Sequence, residues 1–287
     1  MKMSRLNSST LNTFIKLRRL LLAELENFIK SESHSLQQSA VLHSKKNGTD
    51  ICDTDPQKCR DLFYVSEVDM LKALRYALYR ESTRTGDPLT GTNLTALHSF
   101  VSLLADHFPV STSYENKEAA GNPFATNSDW DHCRGSTGQY RGYTCGLWIA
   151  FHALTVSASK QAEDHLSEFK PLEPLKAIRA WIGSFFGCWY CREHFQKMTT
   201  ITLPMETQVR NPEDVFMYLW KAHNIVNARL QGRDTEDPLY PKLQFPAKFL
   251  CPNCTADGLQ DKKQIRDFLV NYYSKIKPFH SPKAFLI

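Results

Sequence analysis

Helical periodicity runs through most of this chain and constrains its fold more than any other feature of the sequence. Apolar residues recur at helical spacing over about 11–30, 66–82, 92–107, 144–159, 172–187, 189–201, 212–231 and 261–275. Such spacing predicts amphipathic helices, and no segment shows the convincing apolar/polar alternation of a half-buried strand. We therefore expect an all-α protein, in which a helical bundle follows a smaller helical region.

Polar and turn-forming residues between these segments divide the chain. Residues 31–60 are rich in Ser, His, Asn, Asp and Lys, and residues 110–140 contain several Gly and an Asn-Pro pair. Both compositions favour irregular connections, as does the Pro-rich stretch 236–253. We expect an N-terminal helix and linker at 1–60, a helical region at 61–120, a main domain at 121–277 and a tail at 278–287.

Charge and hydropathy exclude two classes of protein. The net charge of +5 is spread along the chain rather than gathered into a block, so no nucleic-acid partner is expected. No stretch approaches about 18 consecutive apolar residues, so no membrane span is expected. The N-terminal region carries Lys16, Arg18 and Arg19 among its leucines, and it lacks the uninterrupted apolar core of a signal peptide.

The 8 cysteines fall into local pairs. Cys52/Cys59 and Cys133/Cys145 are loosely spaced, whereas the other two pairs are C-x-x-C motifs. An even number of cysteines in local pairs is typical of an oxidising compartment. N-x-Ser/Thr sequons, which mark glycosylation acceptors in secreted proteins, add weak support for a secretory setting; they begin at Asn7, Asn47, Asn93 and Asn253.

The first C-x-x-C motif has the features of a redox pair. Cys188 and Cys191 follow Gly187 and open a predicted helix. The unpaired amides and the dipole of a helix start lower the pKa of a thiol there and favour a nucleophilic thiolate. Gly187 would allow another group to approach the backbone, and His194 lies three residues after Cys191, on the same side of the helix.

A structural disulfide and a zinc site are the alternatives for this motif. Cys251 and Cys254 complete a C-x-x-C…C-x-x-C set, but 59 residues intervene, against roughly 15–20 in common zinc ribbons. The interval also contains a long predicted helix, which disfavours a compact ribbon. The main alternative function is therefore a non-catalytic, zinc-binding helical scaffold that uses Cys188, Cys191 and the second pair.

A second constellation lies on the helix predicted at 212–231. Trp220, His223, Asn224 and Asn227 occur at i, i+3, i+4 and i+7, so they form one stripe along that helix. Such a stripe suits a flat aromatic ligand with hydrogen-bonding edges. The alternative is a partly buried polar helix whose side chains are satisfied by their neighbours.

Three further features could serve the same ligand. Trp148 and His152 repeat the pattern at i, i+4 on an earlier helix, and Arg141 and Lys242 could meet a phosphate. The chain has no Gly-rich dinucleotide loop and no P-loop. Any flavin is therefore expected to be held by helices rather than by a Rossmann turn.

Three motifs in order resemble the Erv/ALR sulfhydryl oxidase family: Gly146–His152, the Phe-Phe-Gly-Cys-x-x-Cys-x-x-His-Phe segment 185–195, and His223–Asn227. In that family FAD lies within a four-helix bundle that carries a short extra helix. The stretch 227–254 resembles the quiescin branch in particular. Residues around 62–109 resemble the degenerate, flavin-free oxidase-like region of that branch, which packs where a second subunit lies in single-domain relatives and so implies a monomer.

The resemblance assigns roles residue by residue. Cys188–Cys191 would be the redox disulfide, with Cys191 next to the flavin and Cys188 exchanging with the donor. Cys133–Cys145 and Cys251–Cys254 would be structural disulfides, and we expect a local disulfide at Cys52–Cys59. No metal site is implied. The residues expected to line FAD are Arg141, Trp148, His152, His194, Trp220, His223, Asn224, Val226, Asn227, Lys242 and Phe245.

The resemblance also implies the reaction and its setting. We expect dithiols to be oxidised to disulfides and dioxygen to be reduced to hydrogen peroxide, in the secretory pathway or outside the cell. The donors would be reduced substrate proteins or a thioredoxin-like protein. This sequence departs from relatives at Tyr190, where an acidic residue can occur, and at Phe245, where Trp is frequent. No C-x-x-C precedes Cys188, whereas quiescin oxidases begin with thioredoxin-like domains.

Overall fold

Helices form nearly all the regular structure of the chain. The computed structural model describes Asp55, Gln57 and residues 63–84, 86, 89–109, 129–162, 169–256 and 259–278, all of which belong to the unit Thr49–Ile287. The helix predicted at 11–30 and the pair Cys52/Cys59 lie outside these residues. So does the predicted boundary between residues 120 and 121.

Eight α-helices lie within the described residues, in this order: α1 Glu67–Tyr76, α2 Gly91–His107, α3 Gly142–Ala162, α4 Leu172–Phe185, α5 Trp189–Lys197, α6 Met205–Gln208, α7 Pro212–Leu230 and α8 Lys262–Ser274. Two π-helical turns extend α1 and α5, at Ala77–Glu81 and Met198–Thr202, and a 3₁₀-helix covers Pro252–Cys254.

Four two-residue strands accompany the helices. β1 (Val65–Ser66) pairs in parallel with β4 (Ile276–Lys277), and β2 (Thr255–Ala256) pairs antiparallel with β3 (Leu259–Gln260). These strands have no room for the alternation that identifies a strand in a sequence. The all-α prediction is confirmed.

Local capping signals explain where the helices begin. α7 starts with a capping box, in which Asn211 and Asp214 exchange side-chain and backbone hydrogen bonds, and Pro212 occupies its first turn. The Asp261 side chain accepts from two backbone amides at the start of α8. The observed helix bounds lie close to the predicted ones because the capping residues are next to the helix starts in the sequence.

α3 lies at the centre of the fold and packs against α1, α2, α7 and α8, while α2 packs along α4. Its crossing with α1 depends on Gly146, where a Cβ would lie 2.5 Å from the Asp69 carbonyl oxygen. At the centre of the core the Phe100 and Trp181 rings stack at 5.0 Å. The helices of the predicted region 61–120 thus share a core with the bundle that carries the site.

Candidate active site

The first C-x-x-C forms a disulfide at the N-terminus of α5. The S–S bond of Cys188–Cys191 is 2.05 Å long, and Cys188 is the N-cap residue, whose sulfur accepts a hydrogen bond from the Cys191 amide at 3.2 Å. A helix N-terminus stabilises negative charge, so a thiolate released at Cys188 finds a donor in place. Cys188 is exposed and Cys191 is partly buried.

The turn before this disulfide rests on the first helical region. Arg84 Nη1 donates to the Gly187 carbonyl oxygen at 3.4 Å. Both Glu81 carboxylate oxygens lie 3.0 Å from the point where a Cβ on Gly187 would stand. Glu81 is buried and therefore cannot easily yield to a side chain at position 187. The sequence predicted that another group would lie close to the Gly187 backbone, and in the structure this group is the Glu81 carboxylate.

Aromatic and imidazole rings form a stack between α3, α7 and α8. The Trp148 and His223 rings are parallel at 4.0 Å, and the His152 ring stacks on Tyr273 at 4.7 Å. His152 Nε2 and His223 Nδ1 are 3.0 Å apart, so one imidazole donates to the other. Phe195 of α5 contacts Trp148, with ring centroids 6.3 Å apart, which connects the stack to the helix that bears the disulfide.

Burial sets the protonation of this stack. It lowers the pKa of His152 to about 3 and, together with the neighbouring His152, holds the pKa of His223 well below its usual value. Burial also raises the pKa of the Tyr273 phenol. All three rings are therefore neutral at physiological pH, which leaves flat, uncharged surfaces.

The stripe on α7 binds the backbone of the loop that precedes the second C-x-x-C. Asn224 donates to the Phe245 carbonyl oxygen at 2.8 Å and accepts from the Phe245 amide at 2.8 Å. Trp220 Nε1 also donates to the Phe245 oxygen, and Asn227 donates to the Leu243 oxygen at 3.0 Å. Three of the four stripe residues thus form hydrogen bonds with the backbone of this loop. The fourth, His223, forms its hydrogen bond with His152 of α3.

Two partly buried cations lie near each other beside this loop. The Arg141 guanidinium lies 4.2 Å from the Tyr240 ring centroid and donates to the His132 carbonyl oxygen at 2.8 Å. Burial lowers the pKa of Lys242, and the charge of Arg141 lowers it further. The structure thus brings together two cations that are 101 residues apart in the sequence (242 − 141).

The other predicted site residues lie around these groups. His194 contacts the Tyr190 ring edge-on, with centroids 4.2 Å apart. Phe245 contacts Phe268 and Tyr272 of α8 at 5.6 and 5.3 Å. Val226 is half-buried on α7.

The other described cysteines are also paired. Cys133–Cys145 and Cys251–Cys254 are disulfides with S–S bonds of 2.11 and 2.03 Å, and no free cysteine occurs in the part of the chain that the structure describes. Asp69 of α1 accepts from the Cys133 amide at 2.7 Å. Because both C-x-x-C pairs form disulfides rather than free thiols, the zinc-scaffold alternative is not favoured.

Several residues of the site have no signal in the sequence. Tyr240 contacts Arg141, Tyr273 contacts His152, and Glu81 and Arg84 contact Gly187; no pattern of residue types in the sequence singles out any of these four. Periodicity assigns Tyr273 to a helix, but it does not reveal that the Tyr273 ring stacks on His152.

The fold and the site together define a class of protein. It is a helical bundle with a C-x-x-C disulfide at the start of one helix, an aromatic stack that contacts Phe195 of the same helix, and a pair of half-buried cations beside the loop that α7 binds. No helix among the described residues is long and apolar enough to cross a bilayer.

The chain belongs to the Erv1/Alr family. Residues 145–246 match that family. The chain is also 32% identical to the sulfhydryl oxidase fragment of human QSOX1, with a TM-score of 0.65, and the match covers 75% of this chain and 98% of that one. The Erv-like helical fold expected from the sequence is therefore confirmed.

Longer relatives show the same similarity. Sulfhydryl oxidase 1 of Gallus gallus is 36% identical over 253 residues, which cover 76% of this chain and 33% of the relative. Sulfhydryl oxidase 2 of Homo sapiens is 34% identical over 244 residues, 72% of this chain and 34% of the relative. The chain therefore spans about a third of the length of these relatives.

Proposed function

We propose that this protein is an FAD-dependent thiol oxidase, which forms disulfides from dithiols and reduces dioxygen to hydrogen peroxide. The observation that carries the proposal is the Cys188–Cys191 disulfide at the start of α5, with Cys188 exposed and Cys191 partly buried. An exposed disulfide at a helix N-terminus suits attack by a thiolate because the leaving charge is stabilised there.

Two features of the site fit FAD. Arg141 and Lys242 are partly buried and mutually repulsive, and the charge of Arg141 lowers the pKa of Lys242. The carboxylates of Glu236 and Asp237 offset part of this positive charge, and a diphosphate would add further anionic acceptors for the two cations. The parallel rings of Trp148 and His223 offer flat surfaces near the disulfide helix that suit an aromatic ring system.

We infer that FAD contacts the full set predicted from the sequence: Arg141, Trp148, His152, His194, Trp220, His223, Asn224, Val226, Asn227, Lys242 and Phe245. Within it, the side-chain amides of Asn224 and Asn227 bind loop backbone. Their contribution is therefore to hold the loop that carries Phe245 in position.

The proposed reaction begins at the exposed sulfur. A donor thiolate bonds to Cys188 Sγ while the Cys188–Cys191 bond breaks, and Cys191 departs as a thiolate. A second donor thiol attacks the mixed disulfide, so the donor leaves oxidised and the enzyme pair is left with two thiols. Bound FAD would supply the two-electron chemistry that links oxidation of this thiol pair to reduction of dioxygen to hydrogen peroxide. The protein holds Cys191 near the cofactor and restores its own disulfide.

We further propose that the donors are reduced proteins or a thioredoxin-like protein, and that the chain works in the secretory pathway or outside the cell. The local disulfides support an oxidising setting. We expect a monomer, because α1 and α2 pack on α3 and α4 of the same chain, where single-domain relatives are expected to pack a second subunit.

The visible absorption spectrum of the purified protein tests the proposal. A flavin spectrum that bleaches on anaerobic addition of dithiothreitol and recovers in air is the expected result. Colourless protein with stoichiometric zinc would reject it.

Single variants test the assigned disulfide. Cys188→Ser and Cys191→Ser are each expected to abolish dithiol-dependent oxygen consumption while retaining bound flavin. The matched control is the double variant of the other C-x-x-C, Cys251→Ser/Cys254→Ser, which should retain turnover per bound flavin. Wild-type turnover in either variant of the first pair would exclude the scheme.

A further inference from the structure

A depression beside the redox disulfide extends beyond the groups that the proposed reaction uses. Its volume is about 800 Å³, and it lies between α4 and α5, with the π-helical turn Met198–Thr202 at one end. Its lining includes Gly183, Trp189, Arg192, Glu193, Lys197 and Ile201. Trp189, which lines one end of the depression, directly follows the exposed residue Cys188 in the chain.

Two large apolar side chains of this lining are left in solvent. Trp189 is 63% exposed and Ile201 is 69% exposed, whereas Phe195 and Met198 of the same helical segment are buried. Covering exposed apolar area stabilises a complex. Trp is also among the residue types that contribute most to binding energy at interfaces, so its place beside Cys188 indicates a contact surface.

The charges of the lining favour an acidic partner. Within the part of the chain that the structure describes, Arg192, Glu193 and Lys197 form no salt bridge. Two cations and one anion leave one net positive charge along the depression. Complementary charge on a partner guides its approach and its register.

We propose that this depression docks an extended segment of the dithiol donor, with an apolar residue against Trp189 and an acidic residue against Lys197. The inference rests on the proposed thiol-oxidase function. It identifies the depression as the surface by which the enzyme selects its dithiol donor. At helical rise, the distance from Cys188 to Ile201 is about 20 Å, which about six residues of extended chain would cover.

The chemistry of the first step places the donor there. The donor thiolate must reach Cys188 Sγ, where it forms a bond as Cys191 leaves. Because Trp189 is exposed and adjacent to Cys188 in the chain, residues that flank the donor cysteine come within reach of its ring. A small dithiol has no flanking residues and does not use the depression.

Anaerobic reduction of the Cys188–Cys191 disulfide tests the proposal. The donors are dithiothreitol, a synthetic dithiol peptide with apolar and acidic residues around its cysteines, and the same peptide with Lys at the acidic positions. Because one bound flavin can accept only one pair of electrons without oxygen, alkylation of the thiols that remain in excess donor, followed by mass mapping, gives each rate. Failure of the oxidase function would appear separately, as absent oxygen uptake with dithiothreitol.

Trp189→Ala is expected to slow reduction by the acidic peptide at least about tenfold, with reduction by dithiothreitol changed less than about twofold. Lys197→Glu is expected to reverse the preference between the two peptides. The matched control is Leu239→Ala, since Leu239 is 68% exposed and lies outside the depression; this variant should match the wild type.

Two results would overturn the proposal. If Trp189→Ala slowed reduction of the disulfide by dithiothreitol as much as reduction by the peptide, Trp189 would affect the disulfide itself rather than donor docking. If the acidic and basic peptides reacted equally in wild type and Lys197→Glu, the depression would not contact the donor through its charge.

Discussion

Removal of the Asn224 side chain is expected to release the loop that α7 holds. Asn224 is 8% exposed and makes two hydrogen bonds to the Phe245 backbone, each 2.8 Å long. In Asn224→Ala the Phe245 oxygen keeps Trp220 as a donor, but the Phe245 amide loses its acceptor. A lost hydrogen bond costs about 1 kcal/mol, and an unsatisfied buried group about 1–3 kcal/mol. We expect the free energy of unfolding to fall by about 2–3 kcal/mol.

Thermal unfolding followed by circular dichroism measures this effect. For a domain of this size each kcal/mol corresponds to about 2–4 °C in Tm, so Asn224→Ala should unfold roughly 4–12 °C below the wild type. The matched comparison is Asn227→Ala, which removes one bond of 3.0 Å from a less buried residue. If Asn224→Ala lowered Tm no more than Asn227→Ala, the reasoning about the paired bonds would be refuted.

Three other perturbations test the packing and protonation of the site. Gly146→Ala would place a Cβ 2.5 Å from the Asp69 carbonyl oxygen, so we expect urea unfolding to show a loss of about 1–3 kcal/mol; Gly138→Ala, whose Cβ has open space, is the control, and equal midpoints would contradict the close crossing of α1 and α3. The pKa of His152 is lowered to about 3, so the unfolded state binds a proton first as the pH falls below about 6.5. The wild type should therefore lose about 2 kcal/mol more stability between pH 7 and pH 5 than His152→Gln, and identical pH slopes would exclude a buried neutral His152. Gly187→Ala would crowd a buried carboxylate, and we expect slower dithiol-dependent oxygen uptake with flavin retained; an unchanged rate would show that the turn before the disulfide tolerates the shift.

Most of the helices could be predicted from the sequence. The prediction of 212–231 for α7 differs from the observed Pro212–Leu230 by one residue, because the capping box and Pro212 lie next to the helix start. The prediction of 189–201 covers α5 and all but the last residue of the π-helical turn that follows it. The turn itself was not predicted, since a change from α to π hydrogen bonding leaves the apolar spacing almost unchanged.

The candidate site was predicted in its residue types but not in its contacts. The stripe on α7 and the pair Trp148/His152 are visible as patterns, and the disulfide of Cys188–Cys191 was expected. The spacing of the stripe residues does not reveal that Asn224 and Asn227 bind a loop some 16 to 21 residues away in the sequence. One interpretation of the stripe gave it a flat ligand and the other gave it neighbouring protein groups, and only the packed chain shows which groups the side chains bind.

What the sequence by itself determined is local: which segments form helices, where they begin, and which cysteines are close enough in the chain to pair. Helix formation depends on residues within about four positions, so neighbouring residues suffice to specify it. Only the tertiary structure decided that Glu81 meets Gly187, that Arg141 lies near Lys242, and that His152 stacks on Tyr273. Those contacts follow from how whole helical faces fit together and where the loops between them close, and no short stretch of the chain contains that information.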